Sequence, residues 1–400
     1  MPEAVIVATA RTPIGRANKG SLTECRPDDL AGFIIKTVLE KVPQLDPQTV
    51  EDVILGCGQP AGESGYNVGR VAALLAGLPD VPGVVVNRYC SSSLQTIRMA
   101  AHAIKAGEGD VFVAAGVETV SRYRYGASDT GPHNERFADA EARTSERTNG
   151  ADSWEPPTGL PDIYIAMGQT AENVVLAENV SREDMDAWGA RSQQRAVAAQ
   201  ERGFFEREIT PVTTPSGTVV SKDDGPRAGT TVERLAELKP VFRPDGKVTA
   251  GNSCPLNDGS AAVVVMSDAR AEQLGVTPLA RIVSSGVTGV NPEIMGMGPV
   301  EACRMALKRA GLTIDDMDLV EINEAFAAQV LPSAKHLGID LEKLNVNGGA
   351  IALGHPFGMT GARIMGTLIN GLEDSGGRYG LESMCVGGGQ GMAMVIERLS

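Results

Sequence analysis

Two stretches of this chain run through the same order of signals 267 residues apart. Residues 39–55 read as a helix end, then Leu45, an acidic turn at Asp46, and the apolar strand Val53-Ile54-Leu55. Residues 306–322 read as a helix end, then Gly311-Leu312, a turn carrying Asp315, Asp316 and Asp318, and the strand Leu319-Val320. The offset is set by Leu45 and Leu312. It also carries Asn87 to the neighbourhood of Gly354-His355, and Val111 close to an apolar stretch at 383–386. Agreement in order at three points argues for an internal duplication. A chain of 400 residues also exceeds what one ordinary core holds. With 47 glycines and only 4% aromatic residues, the halves are expected to be α/β, built from Val, Ile, Leu and Ala with many tight turns.

Between the repeats, residues 124–162 are polar and turn-rich, with Gly131-Pro132, Asn149-Gly150 and Pro156-Pro157. A connection this long without periodic apolar residues reads as a functional loop. Helical spacing returns at Met167, Ala171 and Val175, and again at Met185, Trp188 and Ala196. Residues 191–247 hold 10 Lys+Arg against 8 Asp+Glu, inside a chain of net charge −14. That balance fits an anion site, and equally a mixed-charge surface.

The strongest chemical signal lies in Val84-Val85-Val86-Asn87-Arg88-Tyr89-Cys90-Ser91-Ser92-Ser93-Leu94-Gln95. A β-branched run stops, a cysteine follows, and Leu94, Ile97, Ala101 and Ile104 take up helical spacing. A thiol at a helix start meets unpaired N–H groups and the positive end of the dipole. Its pKa is therefore expected below the free value of about 8.5. A small buried hydrophobe fits the same stretch.

Of the four histidines, His102, His133 and His336 read as structural or solvent-facing. His355 stands apart, in Asn347-Gly348-Gly349-Ala350-Ile351-Ala352-Leu353-Gly354-His355-Pro356-Phe357-Gly358, where glycines permit close approach to a ligand. Cys385 ends a short strand that runs into Gly387-Gly388-Gly389. Those glycines do not make a dinucleotide motif, because Met392 stands where the third glycine belongs and too little chain follows. Asn323, in Asn323-Glu324-Ala325-Phe326, reads as a helix cap or a site residue.

The acidic charge argues against nucleic acid as partner. Six scattered cysteines form no zinc pattern and fit a reducing compartment. The opening run Met1-Pro2-Glu3-Ala4-Val5-Ile6-Val7 has no basic n-region and reads as a first strand, and no run is long enough to cross a bilayer. A cytoplasmic location is expected, with no metal site.

Taken in order, these stretches resemble the thiolases, the acetyl-CoA acetyltransferases and 3-ketoacyl-CoA thiolases. The motifs around Cys90, Asn323, His355 and Cys385 carry the resemblance. So do Arg11-Thr12-Pro13-Ile14-Gly15, Met167-Gly168-Gln169-Thr170-Ala171-Glu172-Asn173, Thr249-Ala250-Gly251-Asn252, Asn257-Asp258-Gly259 and Met295-Gly296-Met297-Gly298-Pro299. The resemblance implies a layered α-β-α-β-α sandwich of two similar halves with an inserted loop domain. The expected bounds are 1–122 continued at 248–276, an insertion at 123–247 that binds CoA, and 277–400. It implies Cys90 as the nucleophile that carries the acyl group, with its N–H and that of Gly387 as oxyanion donors. It implies that His355 activates Cys90, that Asn323 holds a water at a second oxyanion hole, and that Cys385 moves the proton at the substrate α-carbon or CoA thiol. Arg227, Cys254, Met167, Phe326 and Met295 fall where relatives contact substrate or CoA.

The activity so implied is cleavage of a 3-ketoacyl-CoA by CoA to acetyl-CoA and a shortened acyl-CoA. CoA is a co-substrate, with no tightly bound cofactor. The assembly implied is a homodimer or homotetramer that can associate with other β-oxidation enzymes. A biosynthetic acetyl-CoA acetyltransferase is the alternative. A condensing enzyme of the ketoacyl synthase type would use Cys with two His, against Asn323 and Cys385 here. A non-catalytic acyl-binding relative would have lost a reactive residue, yet all four are present. Three departures stand out. Cys254-Pro255 replaces a serine-glycine pair whose serine contacts the pantetheine arm. Ala166 replaces a histidine found in some biosynthetic relatives. Ser93 replaces a common glycine, which is expected to narrow the pocket.

Overall fold

The computed structural model describes residues 2–400. In the first half, strands β1 (Ala4–Arg11), β2 (Asp52–Gly56), β3 (Gly83–Val86) and β4 (Val111–Thr119) alternate with helices α1 (Pro27–Glu40), α2 (Val68–Leu75) and α3 (Ser92–Ala106). The chain then leaves the sheet through α4 (Ala138–Arg147), α5 (Met167–Glu178) and α6 (Arg182–Glu201). It returns as β5 (Asn257–Ser267). The second half runs β6 (Ala280–Gly289), α7 (Gly298–Ala310), β7 (Leu319–Ile322), α8 (Ala327–Leu337), α9 (Thr360–Ser375), β8 (Tyr379–Val386) and β9 (Gln390–Arg398).

The strand order is β7-β8-β9-β6-β1-β5-β4-β2-β3. Its centre is a short antiparallel seam in which Val5 faces Arg281 and Ile6 faces Ala280. Outward from that seam the two sides mirror one another. Each has antiparallel pairs first, then a parallel pair, β4 with β2 and β8 with β7. The expected duplication is therefore present. β2 and β7 begin at Asp52 and Leu319, which keep the 267-residue offset, and α3 and α9 begin at Ser92 and Thr360. β3 has no strand as counterpart, only the single parallel bridge of Val320 with Leu344.

Period-2 alternation sorts the strand side chains into layers. Val53, Leu55 and Val113 pack with Ile34 of α1 and Ala72 of α2. Ile54, Phe112 and Ala114 face the other way, onto Leu94 and Ile97 of α3 and Ile364 and Leu368 of α9. Met384, Val386, Met392 and Met394 of the second half reach that same cluster. On its outer face, Leu381, Val395 and Cys385 pack with Ala302 and Ala306 of α7 and Val330 of α8. The molecule is thus the expected α-β-α-β-α sandwich, with α3 and α9 in its middle layer. Each large aliphatic side chain buried here contributes about 1.5–3 kcal/mol.

The first turns of α3 and α9 abut. Ala362 N–H donates to Ser93 Oγ at 2.9 Å, and a Cβ on Gly361 would lie 2.3 Å from the Leu94 nitrogen. Ser93 is fully buried in this contact and does not line the cavity that holds Cys90. The expected narrowing is corrected accordingly: the hydroxyl serves a helix junction.

Two further expectations change. The polar stretch 124–162 contains the ten-residue helix α4. It lacks an apolar stripe because only Ala140 is buried, so the helix lies on the surface and periodicity could not reveal it. Asn323 caps no helix. The chain stays extended through Phe326, where Ser253 forms a bridge to it, and α8 starts at Ala327 without a side-chain cap.

Candidate active site

Cys90 sits in a single helical turn, Tyr89–Ser91, between β3 and α3. Tyr89 takes a left-handed φ of 42°, held by its N–H donating to Asn87 Oδ1 at 2.8 Å. The Cys90 side chain is 8% exposed. Burial pushes its thiol up to about 11, although the N–H groups of Gly387 and of Cys90 itself pull the other way. The expected fall below the free value is therefore corrected. Loss of water outweighs the helix start, so the proton must be removed by a partner.

His355 lies in the turn that precedes α9 and is 1% exposed. Its N–H donates to Asn257 Oδ1 at 2.9 Å, and Asn257 Nδ2 donates in turn to Gly15 O. A Cβ at Gly354, where φ is 110°, would meet that asparagine at 2.6 Å. The ring is fixed by its Nδ1, 2.6 Å from Thr360 Oγ1. Thr360 donates its one hydroxyl proton to Pro356 O at 2.8 Å, so it can only accept from Nδ1–H. That leaves the proton-free lone pair on Nε2, which has no partner among the described residues. Burial, aided by the charge of Arg363, lowers the imidazole to about 3, so it is neutral, with its lone pair on Nε2.

The loop carrying His355 is pinned by Glu118 at the end of β4. Its carboxylate accepts from Gly358 N–H at 2.9 Å, Gly58 N–H at 2.7 Å and the Tyr123 hydroxyl at 2.8 Å. Phe357 of the same loop meets the His355 ring edge-to-face at 5.2 Å. It lines the cleft that also holds Cys90. The two turns thus converge from opposite halves.

Cys385, on β8, is fully buried. Burial raises its thiol well above the usual range, and the nearby Cys90 and Cys254 add to this. Asn323 follows β7 and is tied by its N–H to Ser383 O at 2.9 Å. Its side-chain amide is 1% exposed, and neither Oδ1 nor Nδ2 has a protein partner among the described residues. A buried amide left open asks for water or ligand. At Gly387 an added Cβ would come within 3.4 Å of the Tyr89 ring, beside Met167.

Two cavities adjoin this centre. One, of about 220 Å³, holds Cys90, Gly387, Met167 and Phe357. The other, of about 310 Å³, holds Arg16, Arg227, Cys254 and Gln193. Arg227 N–H donates to Gln193 Oε1, while the guanidinium groups of Arg16 and Arg227 form no ion pair among the described residues. Two candidate contact residues line neither cavity. Phe326 meets Phe242 edge-to-face, with centroids 6.2 Å apart, and Met295 is buried in the outer core. His102 is exposed on α3, His133 stacks on Tyr164, and His336 pairs with Glu178. Among the described residues, no cluster of three or more His, Cys, Asp or Glu could hold a metal ion.

Sequence reasoning missed Thr360, Arg16 and Glu118. Only Glu118 left a signal, as a lone carboxylate inside the apolar run of β4. Chemically, the centre offers a masked thiol, a neutral base, a second buried thiol and an open amide. That set suits acyl transfer through a thioester coupled to proton movement at carbon.

Two family models match the chain: Thiolase, N-terminal domain, over residues 4–269, and Thiolase, C-terminal domain, over residues 276–398. A beta-ketoadipyl-CoA thiolase of Acinetobacter baylyi is 46% identical over 411 residues, covering 100% of both chains. A 3-ketoacyl-CoA thiolase of Bacillus subtilis is 44% identical over 410 residues, covering 99% of this chain and 100% of its own. The crystal structure of the Bacillus anthracis acetyl-CoA acetyltransferase superposes with a TM-score of 0.86 at 43% identity, covering 100% of this chain and 99% of that one.

Proposed function

Since the chain belongs to the thiolase family, CoA-dependent enzymes that cleave or form 3-ketoacyl thioesters, we propose how its own residues divide that reaction. Nε2 of His355 takes the Cys90 proton, and the thiolate attacks the 3-keto carbon. The N–H groups of Cys90 and Gly387 receive the oxyanion, a type of donor worth roughly 3–4 kcal/mol each. The C2–C3 bond then breaks, leaving the acyl group on Cys90 and acetyl-CoA as its enolate. Protonated His355 and a water held by Asn323 give hydrogen bonds to the enolate oxygen, His355 keeping its proton, and the Cys385 thiol protonates C2. After acetyl-CoA leaves, Cys385 takes the proton of an incoming CoA thiol. The CoA sulfur attacks the Cys90 thioester, acyl-CoA departs, and His355 returns the proton to Cys90.

The observation that carries this reading is the fixed tautomer of His355, its Nε2 without a protein partner among the described residues, in the loop whose Phe357 lines the same cavity as Cys90. The second buried thiol favours carbon–carbon cleavage over simple acyl transfer. We read 123–247 as the unit that binds CoA, through Arg227, with Cys254 of the continued first half lining the same cavity. CoA is a substrate, and no tightly bound cofactor is invoked. The protein is read as a cytoplasmic homodimer or homotetramer.

The names of relatives raise two classes of acyl chain. One is neutral, as in the 3-ketoacyl-CoA thiolases, and the other ends in a carboxylate, as in the beta-ketoadipyl-CoA thiolases. The basic test is incubation with acetoacetyl-CoA and CoA while following loss of the ketoacyl absorbance. Turnover is expected, and its absence in a folded sample would overturn the reading.

A further inference from the structure

We propose that the acyl chain accepted here is uncharged, and that Asp129 at the cleft mouth turns away chains ending in a carboxylate. The inference rests on the thiolase reading and decides between the two acyl classes raised there.

A group bound to Cys90 must extend into the cleft that contains its sulfur. The walls of that cleft are apolar or neutral, formed by Ile163, Ile165, Met167 and Phe357 with the phenols of Tyr89 and Tyr164. No Lys, Arg or His lines it, and the one charged lining residue is Asp129. Its position is fixed, because Gln59 Oε1 accepts the N–H groups of Ser128 and Asp129 at 2.7 and 3.0 Å.

Three basic side chains of the adjoining segment 122–133 are already engaged. His133 stacks flat on Tyr164 at 3.8 Å, with Nδ1 3.0 Å from Glu141 and Nε2 4.0 Å from Asp129. Arg122 is held by Glu63 at 2.6 Å. Arg124 lies over the Tyr125 ring. A terminal carboxylate on a short acyl chain would thus leave water without a partner and approach a like charge, and both effects are unfavourable. A methyl-ended chain of equal length would incur neither cost.

The test compares kcat/KM for 3-oxohexanoyl-CoA and 3-oxoadipyl-CoA, which match in length and differ in the terminal group. The neutral substrate is expected to lead by about 10-fold or more. Asp129 is 72% exposed, so Asp129→Asn is expected to fold. It should narrow the ratio several-fold, Asp129→Lys more so, and raised salt should narrow it in the parent protein. Equal or better turnover of 3-oxoadipyl-CoA would overturn the inference. A ratio unmoved by both variants and by salt would overturn the role of Asp129. Failure to turn over either substrate would instead strike the thiolase reading, and this inference with it.

Discussion

Thr360 Oγ1 lies 2.6 Å from His355 Nδ1 while giving its own proton to Pro356 O, so one hydroxyl dictates which imidazole nitrogen is the base. Thr360→Val should leave the ring N–H unpaired and free to change tautomer. We expect kcat to fall about 10- to 100-fold, and alkylation of Cys90 by iodoacetamide to slow in parallel. Thr360→Ser should restore both. Normal alkylation in Thr360→Val would remove this role from the threonine.

The two thiols should separate by step. Cys90→Ala should yield no acyl-enzyme by intact mass after incubation with acyl-CoA. Cys385→Ala should acylate normally yet cleave a 3-ketoacyl-CoA about 10²- to 10⁴-fold more slowly, the range for loss of a general acid. Cleavage at the parent rate in Cys385→Ala would show that another group protonates C2.

With His355 lowered to about 3 and Cys90 raised to about 11, the neutral pair holds across the ordinary range. Alkylation of Cys90 should therefore show no inflection between about pH 5 and 9. Stability follows the same imidazole. Its folded pKa lies below the unfolded value of about 6.5, so the unfolded chain binds the proton first. Stability should decline as pH falls from there towards 3, by about 1.4 kcal/mol per unit from this group. His355→Gln should lose less Tm than the parent between pH 7 and about 4.5; equal losses would assign the acid sensitivity to other groups.

Glu118 holds the loops at Gly58 and Gly358 with one carboxylate, itself buried and raised by that burial. Glu118→Gln turns an acceptor-only group into one with an amide donor facing those N–H groups. A loss of about 2–5 kcal/mol in unfolding free energy is expected, along with a fall in kcat as the His355 loop loosens. Denaturant unfolding checks the first and steady-state kinetics the second. An unaltered midpoint would mean that the loops hold without it.

Much of this was legible in the chain. The duplicated order read off at Leu45 and Leu312 reappears in β2 and β7, because buried strands bounded by acidic turns leave a local signature. The environment of Cys90 was not legible. The helix start is visible in sequence, but the burial that overrides it comes from β8 and from loops hundreds of residues away. Thr360 escaped notice for a similar reason, since a threonine opening a helix has an ordinary local role and only the folded turn aims it at His355. Helix α4 was invisible because a solvated helix needs no apolar stripe. Phe326 and Met295 belong to motifs beside the site, yet packing turns both into the core.

The abutting first turns of α3 and α9 also bear on how the enzyme comes to life. The sulfur arrives with one half and its base with the other, so neither half holds a working centre. On refolding, helical signal and compactness can return while the sample stays inert, and activity dates the docking of the halves. Fragments made separately would each be silent. Mixing them would give a complementation assay whose readout is the closure of the seam between β1 and β6.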